Sequence, residues 1–403
     1  MARSEGFPPV VLFGYDCESS FSSRVLAKLG GGENACEESR GLGRGSSHAN
    51  DAVVAASPFT NKVRLALRLK QVPFTHVSVP SMMPRPLLKS TFGLTYRKIP
   101  VLAIGREIYC DTSLIIEAIE HFFPTSAGYG TVYPEFPAVD EWTYRGLARG
   151  FASFWADRPL FRTTTGLIPP SVWRTSFGSD RSALVGHTLD PNKLAAKIPE
   201  HLSNLDLHLS LLEPTFKSGT WVIPTRKPSL ADISLYYQLR WGVDIAAGEG
   251  VYNLTGGDAQ DRSDDVTGSV WNAERYPGVW NWFHALESYI DSLPNLEKEA
   301  DGEKNLEWKE ALKAANTLGL EELLVPTSAG QLDVLDLQRG LAEGTLVSIA
   351  PDDIGRNFPT VGTLVKIGVE EVVIKPVESA ELDVRVHFPR LGSVIKVAEG
   401  SRL

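Results

Sequence analysis

The chain is poor in cysteine, in long apolar runs and in excess positive charge, and each shortage excludes a class of protein. Three cysteines among 403 residues are too few for a disulfide scaffold and are typical of a reducing compartment. No cysteine and histidine group has zinc-site spacing, and no apolar run approaches the roughly 20 residues of a membrane span. The net charge is −9 and no basic stripe is present. We therefore expect a cytoplasmic protein that holds no metal and has neither a membrane nor a nucleic acid as a partner.

Three regions of different composition follow one another along the chain. Residues 8–124 alternate short apolar strands with helical patterns, which predicts an α/β domain with a mixed sheet. Residues 138–300 carry aromatic-rich helical patterns and predict an all-helical domain. In residues 305–403, one helix is followed by β-branched residues that alternate with polar ones. This alternation predicts a small antiparallel β module of four or five strands.

The first region is interrupted between its first strand and its first helix. The strand "VVLFGYD" ends at Asp16, and the helical pattern begins only at Ser57. Residues 17–55 have no periodicity and are rich in glycine and serine, so we expect a disordered insertion. When these residues are omitted, the remaining sequence reads as an uninterrupted strand, turn and helix.

Three short motifs in the first region could form a ligand site. Ser57 and Pro58 open a helix, whose free N–H groups and dipole stabilise an anion such as a thiolate. In "KIPV", a cis Pro100 would turn the backbone of Ile99 outward to pair with an extended peptide. Asp111 and Thr112 open the next helix, where an ammonium and a carboxylate could bind.

Each motif also has a purely structural explanation. Ser57, Asp111 and Thr112 are ordinary helix caps, and a proline often stands at the start of a strand. The residues alone leave both explanations open.

The motifs "SPFTNKVRLALRLKQVPF", "RKIPVLAIGREIYCDTSLIIEAI" and "YPGVWNWF" resemble those of cytosolic glutathione transferases, and the serine-type tau class is the most similar. The resemblance implies a thioredoxin-like N-terminal α/β domain followed by the all-α C-terminal domain of that family, with the β module as an addition. It also implies glutathione as co-substrate, a small apolar electrophile as partner, and a homodimer as one assembly it allows.

The resemblance further implies a role for each site residue. Ser57 would activate the glutathione thiol, and Ile99 beside Pro100 would pair with its cysteinyl backbone. Asp111 and Thr112 would hold the γ-glutamyl group. Arg85 or Lys89 would meet the glycine carboxylate. The helix from about 138 onward offers candidates for the electrophile pocket, namely Trp142, Arg145, Arg149 and Trp155.

Two functions follow from this sequence. The first is a glutathione transferase that conjugates the thiolate to small hydrophobic electrophiles or reduces peroxides. A serine at position 57, where related proteins with cysteine form mixed disulfides, favours this chemistry over thiol–disulfide exchange. The alternative is a non-catalytic protein of the same fold, a scaffold that uses the C-terminal β module for interactions.

Overall fold

The computed structural model describes most of the chain outside the predicted insertion. The described residues are 8–15, 57–137, 140–217, 220–259, 265–302, 304, 306–328 and 333–398. Residues 17–55 lie outside them, so their expected disorder stays a prediction.

The N-terminal region folds into a four-stranded mixed sheet with three helices. Strand β1 pairs in parallel with β2 and antiparallel with β3, and β3 pairs antiparallel with β4. The apolar runs of the sequence are these strands, which are almost fully buried, and the thioredoxin-like fold is confirmed. The elements are β1 Val10–Gly14, α1 Pro58–Lys70, β2 Phe74–Ser78, α2 Pro86–Phe92, β3 Val101–Ile104, β4 Glu107–Cys110 and α3 Thr112–Phe122.

The middle region is helical, as predicted. Its first long helix changes from α to π geometry over Phe151–Leu160, a segment that contains Pro159. A proline removes a backbone donor, and π segments are frequent at functional sites. The helices are α4 Glu141–Gly150, the π-helix, α5 Phe161–Thr165, α6 Pro170–Trp173, α7 Ser176–Val185, α8 Pro191–Ala196, α9 Ile198–Phe216, α10 Leu230–Ala246, α11 Val251–Leu254 and α12 Pro277–Asp291.

The C-terminal region contains the predicted antiparallel strands, five in number within the described residues. Strands β6 to β10 pair antiparallel in the order β10-β6-β7-β8-β9. The elements are β5 Glu297–Ala300, α13 Glu307–Ala314, α14 Asp333–Gln338, β6 Leu346–Pro351, β7 Thr360–Ile367, β8 Glu371–Pro376, β9 Arg385–Pro389 and β10 Ser393–Val397.

These strands continue the N-terminal sheet. Strand β9 pairs in parallel with β4, and β5 pairs in parallel with β2 at the opposite edge. The result is one ten-stranded sheet in the order β10-β6-β7-β8-β9-β4-β3-β1-β2-β5. The β module is therefore joined to the first domain by backbone hydrogen bonds.

Among the residues that the structure describes, no helix has the length and apolar character needed to cross a membrane.

Candidate active site

Ser57 lies at the start of α1, where the sequence places it. It is 2% exposed, has extended backbone angles, and its Oγ accepts a hydrogen bond of 3.2 Å from the Thr60 N–H. Pro58 follows at the first helical position. A Cβ on Gly14 would stand 2.3 Å from the Thr60 side chain, so a glycine is needed for β1 to end this close to the helix start. Ser57 therefore caps α1. Its position beside the end of β1 is also compatible with the thiol-activating role.

Tyr15, which the sequence analysis did not select, is the next residue after Gly14 and its hydroxyl interacts with Ser57 and Arg181. Burial raises the pKa of this hydroxyl, while the charges of Arg181 and Arg85 oppose the rise. The sequence shows only that a tyrosine directly follows an apolar strand. It does not show which residues surround the hydroxyl, because these come from distant segments.

Arg85 is buried at the start of α2 and holds the connector between β2 and β3. Its guanidinium donates to the carbonyl oxygens of Pro80 (2.8 Å), Ser81 (2.8 Å) and Arg97. Burial, helped by the nearby charge of Arg181, lowers its pKa to about 10. A ligand carboxylate would have to compete with these carbonyl groups. The other candidate for that carboxylate, Lys89, is exposed and lies 3.7 Å from Glu378.

The peptide bond between Ile99 and Pro100 is cis, as expected. Pro100 is buried directly before β3, and Ile99 is half-buried. The backbone of Ile99 therefore lies at the start of the strand next to β1.

Asp111 and Thr112 open α3 in two different ways. Asp111 has a positive φ of 71°, and its Oδ1 accepts hydrogen bonds from the Ser113 backbone N–H (2.9 Å) and hydroxyl (2.7 Å). Thr112 is 5% exposed, and its Oγ1 accepts a hydrogen bond of 3.2 Å from Lys62. Lys62 in turn forms a 2.6 Å ion pair with Asp157 of the π-helix. No local pattern predicts the pairing of Lys62 with Asp157, because the two residues lie 95 positions apart.

The helical region adds an apolar groove of about 500 Å³ between the π-helix and α9. Trp155, one of the predicted pocket residues, lines it, and its indole N–H donates to His208 over 3.0 Å. Arg145 and Arg149 do not line the groove and form ion pairs with Glu117. The Trp142 side chain lies outside the described part of the chain. The groove is lined by Gly150, Phe151, Phe154, Trp155, Pro159, His208 and Leu211.

Two family models match separate parts of the chain. One, described as the glutathione S-transferase N-terminal domain, matches residues 53–127. The other, described as a domain of unknown function (DUF7962), matches residues 164–252. The first match covers α1 to α3 and includes all the predicted glutathione-site residues.

Curated relatives match over a similar length. Glutathione S-transferase U1 from Arabidopsis thaliana is 31% identical over 105 residues, which are 26% of this chain and 42% of that protein. Glutathione S-transferase U3 from the same plant is 28% identical over 101 residues, 25% of this chain and 39% of that protein. The chain thus spans about two fifths of the length of these relatives.

A solved structure matches over nearly the whole chain. A GST-like protein from Pseudomonas syringae aligns with 97% of this chain and 99% of its own, with a TM-score of 0.54 and 22% identity. This likeness shows a shared fold. Together with the thioredoxin-like sheet and the helical region, these matches show that residues 53–127 are similar to the glutathione S-transferase N-terminal domain and that the chain shares the fold of a GST-like protein.

Proposed function

We propose that this chain is a serine-type glutathione transferase that joins the thiolate of glutathione to small hydrophobic electrophiles. The observation that carries the proposal is the buried Ser57 at the start of α1, beside the hydroxyl of Tyr15, on which the charges of Arg181 and Arg85 also act. Hydroxyl donors, a helix N-terminus and positive charge all favour an anion at this point.

The thiol needs this help because it is mostly protonated at neutral pH. A free thiol has a pKa of about 8.5, and each unit by which a site lowers it stabilises the thiolate by about 1.4 kcal/mol. Ser57 can donate its hydroxyl hydrogen to the thiolate while its Oγ still accepts from Thr60. The proton of the thiol leaves to water, and the electron pair stays on sulfur.

The rest of glutathione would bind along the start of β3 and α3. The backbone N–H and C=O of Ile99, next to the cis Pro100, would pair with the cysteinyl residue. Asp111 and Thr112 would hold the γ-glutamyl group at the start of α3, where free helix N–H groups attract a carboxylate. Arg85 remains the proposed contact for the glycine carboxylate.

The thiolate then attacks the electrophilic atom of the second substrate, and the leaving group departs with the electron pair of the broken bond. The groove at Trp155 is apolar and suits a small hydrophobic molecule. With a hydroperoxide, the same thiolate would attack the O–O bond, and a second glutathione would complete the reduction. We propose a cytoplasmic enzyme without a resident metal and with a homodimer as one possible assembly.

The scaffold function is less well supported. The curated relatives are named as transferases, and the strands of the C-terminal region pair into the same sheet as the site. The capping bond of Ser57 suits either function, but a scaffold has no need of arginine side chains beside the neighbouring Tyr15 hydroxyl.

The test compares the full chain with Ser57→Ala and with a control, Ser90→Ala, whose serine is exposed in α2. We expect the wild type and the control to be retained on immobilised glutathione and to conjugate an activated aryl halide. Loss of one thiolate-stabilising donor should lower the rate of Ser57→Ala about tenfold or more at neutral pH. A wild-type protein that neither binds glutathione nor conjugates it would contradict the proposal, as would equal rates for Ser57→Ala and the control.

A further inference from the structure

The region described as a domain of unknown function contributes charged residues to the surroundings of Ser57. Helix α7 lies within that region and carries Asp180 and Arg181. Asp180 accepts a hydrogen bond of 3.1 Å from the Met83 N–H and forms a 2.6 Å ion pair with Arg97. It also pairs with Arg181. The helix is therefore fastened to the connector between β2 and β3.

Arg181 is held in one position by contacts on three sides. Its Nη1 pairs with Asp180, its Nη2 donates to the Ser81 carbonyl over 3.2 Å, and its guanidinium lies 4.2 Å above the Phe177 ring. The Ser81 hydroxyl donates over 2.8 Å to the carbonyl of Leu254, so the same connector is also joined to α11. These contacts keep a cation of the second domain close to the first.

The end of β1 lies beside this cation. The Gly14 carbonyl accepts from the Val79 N–H over 2.9 Å, which brings Tyr15 next to the connector that follows β2. The Tyr15 hydroxyl interacts with both Arg181 and Ser57. The Tyr15 hydroxyl thus lies between Arg181 and Ser57, the residue beside which the thiol is proposed to bind.

The charges around this hydroxyl are unbalanced within the described residues. Arg85 and Arg181 are the two cations that act on it, and Asp180 is a carboxylate that Arg181 shares with Arg97. Arg85 is satisfied by carbonyl groups instead. An excess of positive charge in a mostly buried place favours an anion nearby.

We propose that Arg181 is a positioning residue of the thiol site and acts through the Tyr15 hydroxyl to stabilise the thiolate beside Ser57. This inference rests on the proposed function. It assigns to the second domain a part in the ionisation of glutathione: the S–H bond breaks, the electron pair stays on sulfur, and the proton passes to water. The groups that face the Tyr15 hydroxyl are Ser57, Arg85 and Arg181.

The experiment follows the ultraviolet absorbance of the glutathione thiolate on the full-length protein as the pH is raised. The variants are Arg181→Gln, which removes the charge, Arg181→Lys, which keeps it, and Tyr15→Phe, which removes the hydroxyl without touching Asp180. The control is Arg174→Gln, because Arg174 is exposed at the end of α6 and donates to Asn192.

We expect Arg181→Gln and Tyr15→Phe to move the midpoint of thiolate formation to higher pH by about one unit, about a tenfold loss of thiolate below the midpoint. Arg181→Lys should move it much less, and the control should not move it. An unchanged midpoint in Arg181→Gln would overturn the inference, as would an equal shift in Arg181→Lys. If Arg181→Gln fails to fold, Tyr15→Phe takes its place. An unchanged midpoint in Tyr15→Phe would then overturn the inference, as would a shift in Arg181→Lys equal to that in Tyr15→Phe. A wild type that shows no thiolate with glutathione would instead refute the proposed function itself.

Discussion

Asp232 shows what a single buried carboxylate does in the helical region. It is fully buried near the start of α10 and completes a capping box with Ser229. It accepts hydrogen bonds from the Ser229 N–H (2.9 Å), the Val222 N–H (2.8 Å) and the Trp282 indole (3.0 Å). The motif "SLAD" predicts the cap, whereas the bonds to two other segments depend on the tertiary fold.

We expect Asp232→Ala to lower the free energy of unfolding by about 3 kcal/mol or more, because several buried donors lose their acceptor at about 1 kcal/mol or more each. Urea unfolding of the full chain measures this loss. Asp291→Ala is the matched control, since Asp291 is exposed at the end of α12. A loss no larger than that of the control would contradict the structural role.

At the scale of elements, the pairing of β4 with β9 joins the first and third regions. Only three residue pairs form this ladder, from Glu107 with Arg385 to Tyr109 with His387. His387 is fully buried and lies between two carboxylates, with its Nδ1 2.5 Å from Glu371 and its Nε2 2.9 Å from Glu107. Arg385 also pairs with Glu107. The short ladder is thus reinforced by a buried charge cluster.

The cluster should make stability depend on pH. Burial alone would lower the pKa of His387, but its bonds to Glu107 and Glu371 outweigh this and raise it. The stability gained from the charged imidazole is therefore complete below its unfolded pKa of about 6.5 and is lost as the pH rises through the higher folded value. Burial alone would raise the pKa of Glu107, but its bonds to His387 and Arg385 outweigh this and lower it. The stability gained from the charged Glu107 carboxylate is therefore lost as the pH falls below about 4.3, the pKa of an unperturbed glutamate.

We expect His387→Gln to remove this dependence. From about pH 6 upward, the difference in unfolding free energy between wild type and variant should shrink by at most about 1.4 kcal/mol per pH unit. Urea unfolding of both proteins at a series of pH values measures this difference. The contributions of the other titrating groups are common to both proteins and cancel in it. His284→Gln is the control, because His284 is exposed and pairs locally with Glu287. A difference that does not change with pH would refute the charged state of His387.

At the scale of the whole molecule, the break between β1 and α1 is the unusual feature. The described residues end at Tyr15 before this break and begin again at Ser57 after it, and the side chains of these two residues interact. Tyr15 and Ser57 are therefore neighbours in the fold, and a short connection can join β1 to α1.

We expect deletion of residues 17–55 to leave folding intact or to raise stability by up to about 2 kcal/mol, because a shorter loop costs less closure entropy. The urea midpoint and the conjugation rate of the deleted chain, compared with the full chain, measure the effect. A destabilised deletion would show that the insertion contributes to the fold. A faster rate would indicate that the insertion restricts access to the thiol site.

The sequence predicted the parts of the fold that local pattern determines. The strands and helices of the first domain follow from apolar periodicity, and Ser57 and Pro100 follow from capping and strand chemistry. Tyr15 with Arg181, and Lys62 with Asp157, could not be predicted, because each pair is joined by contacts between distant segments. The same holds for β5, whose residues "EKEA" have no strand pattern and join the sheet through pairing with β2.

The ladders of β5 and β9 have a consequence for association between molecules. An unpaired strand at the edge of a sheet can pair with another chain, and short or charged edge strands reduce that risk. Here both edges of the four-stranded thioredoxin-like sheet are covered by strands of the same chain. The ends of the ten-stranded sheet are then β5, four residues long with exposed Lys298 and Glu299, and β10, five residues long with exposed Lys396. The chain therefore protects its own sheet against edge-to-edge aggregation.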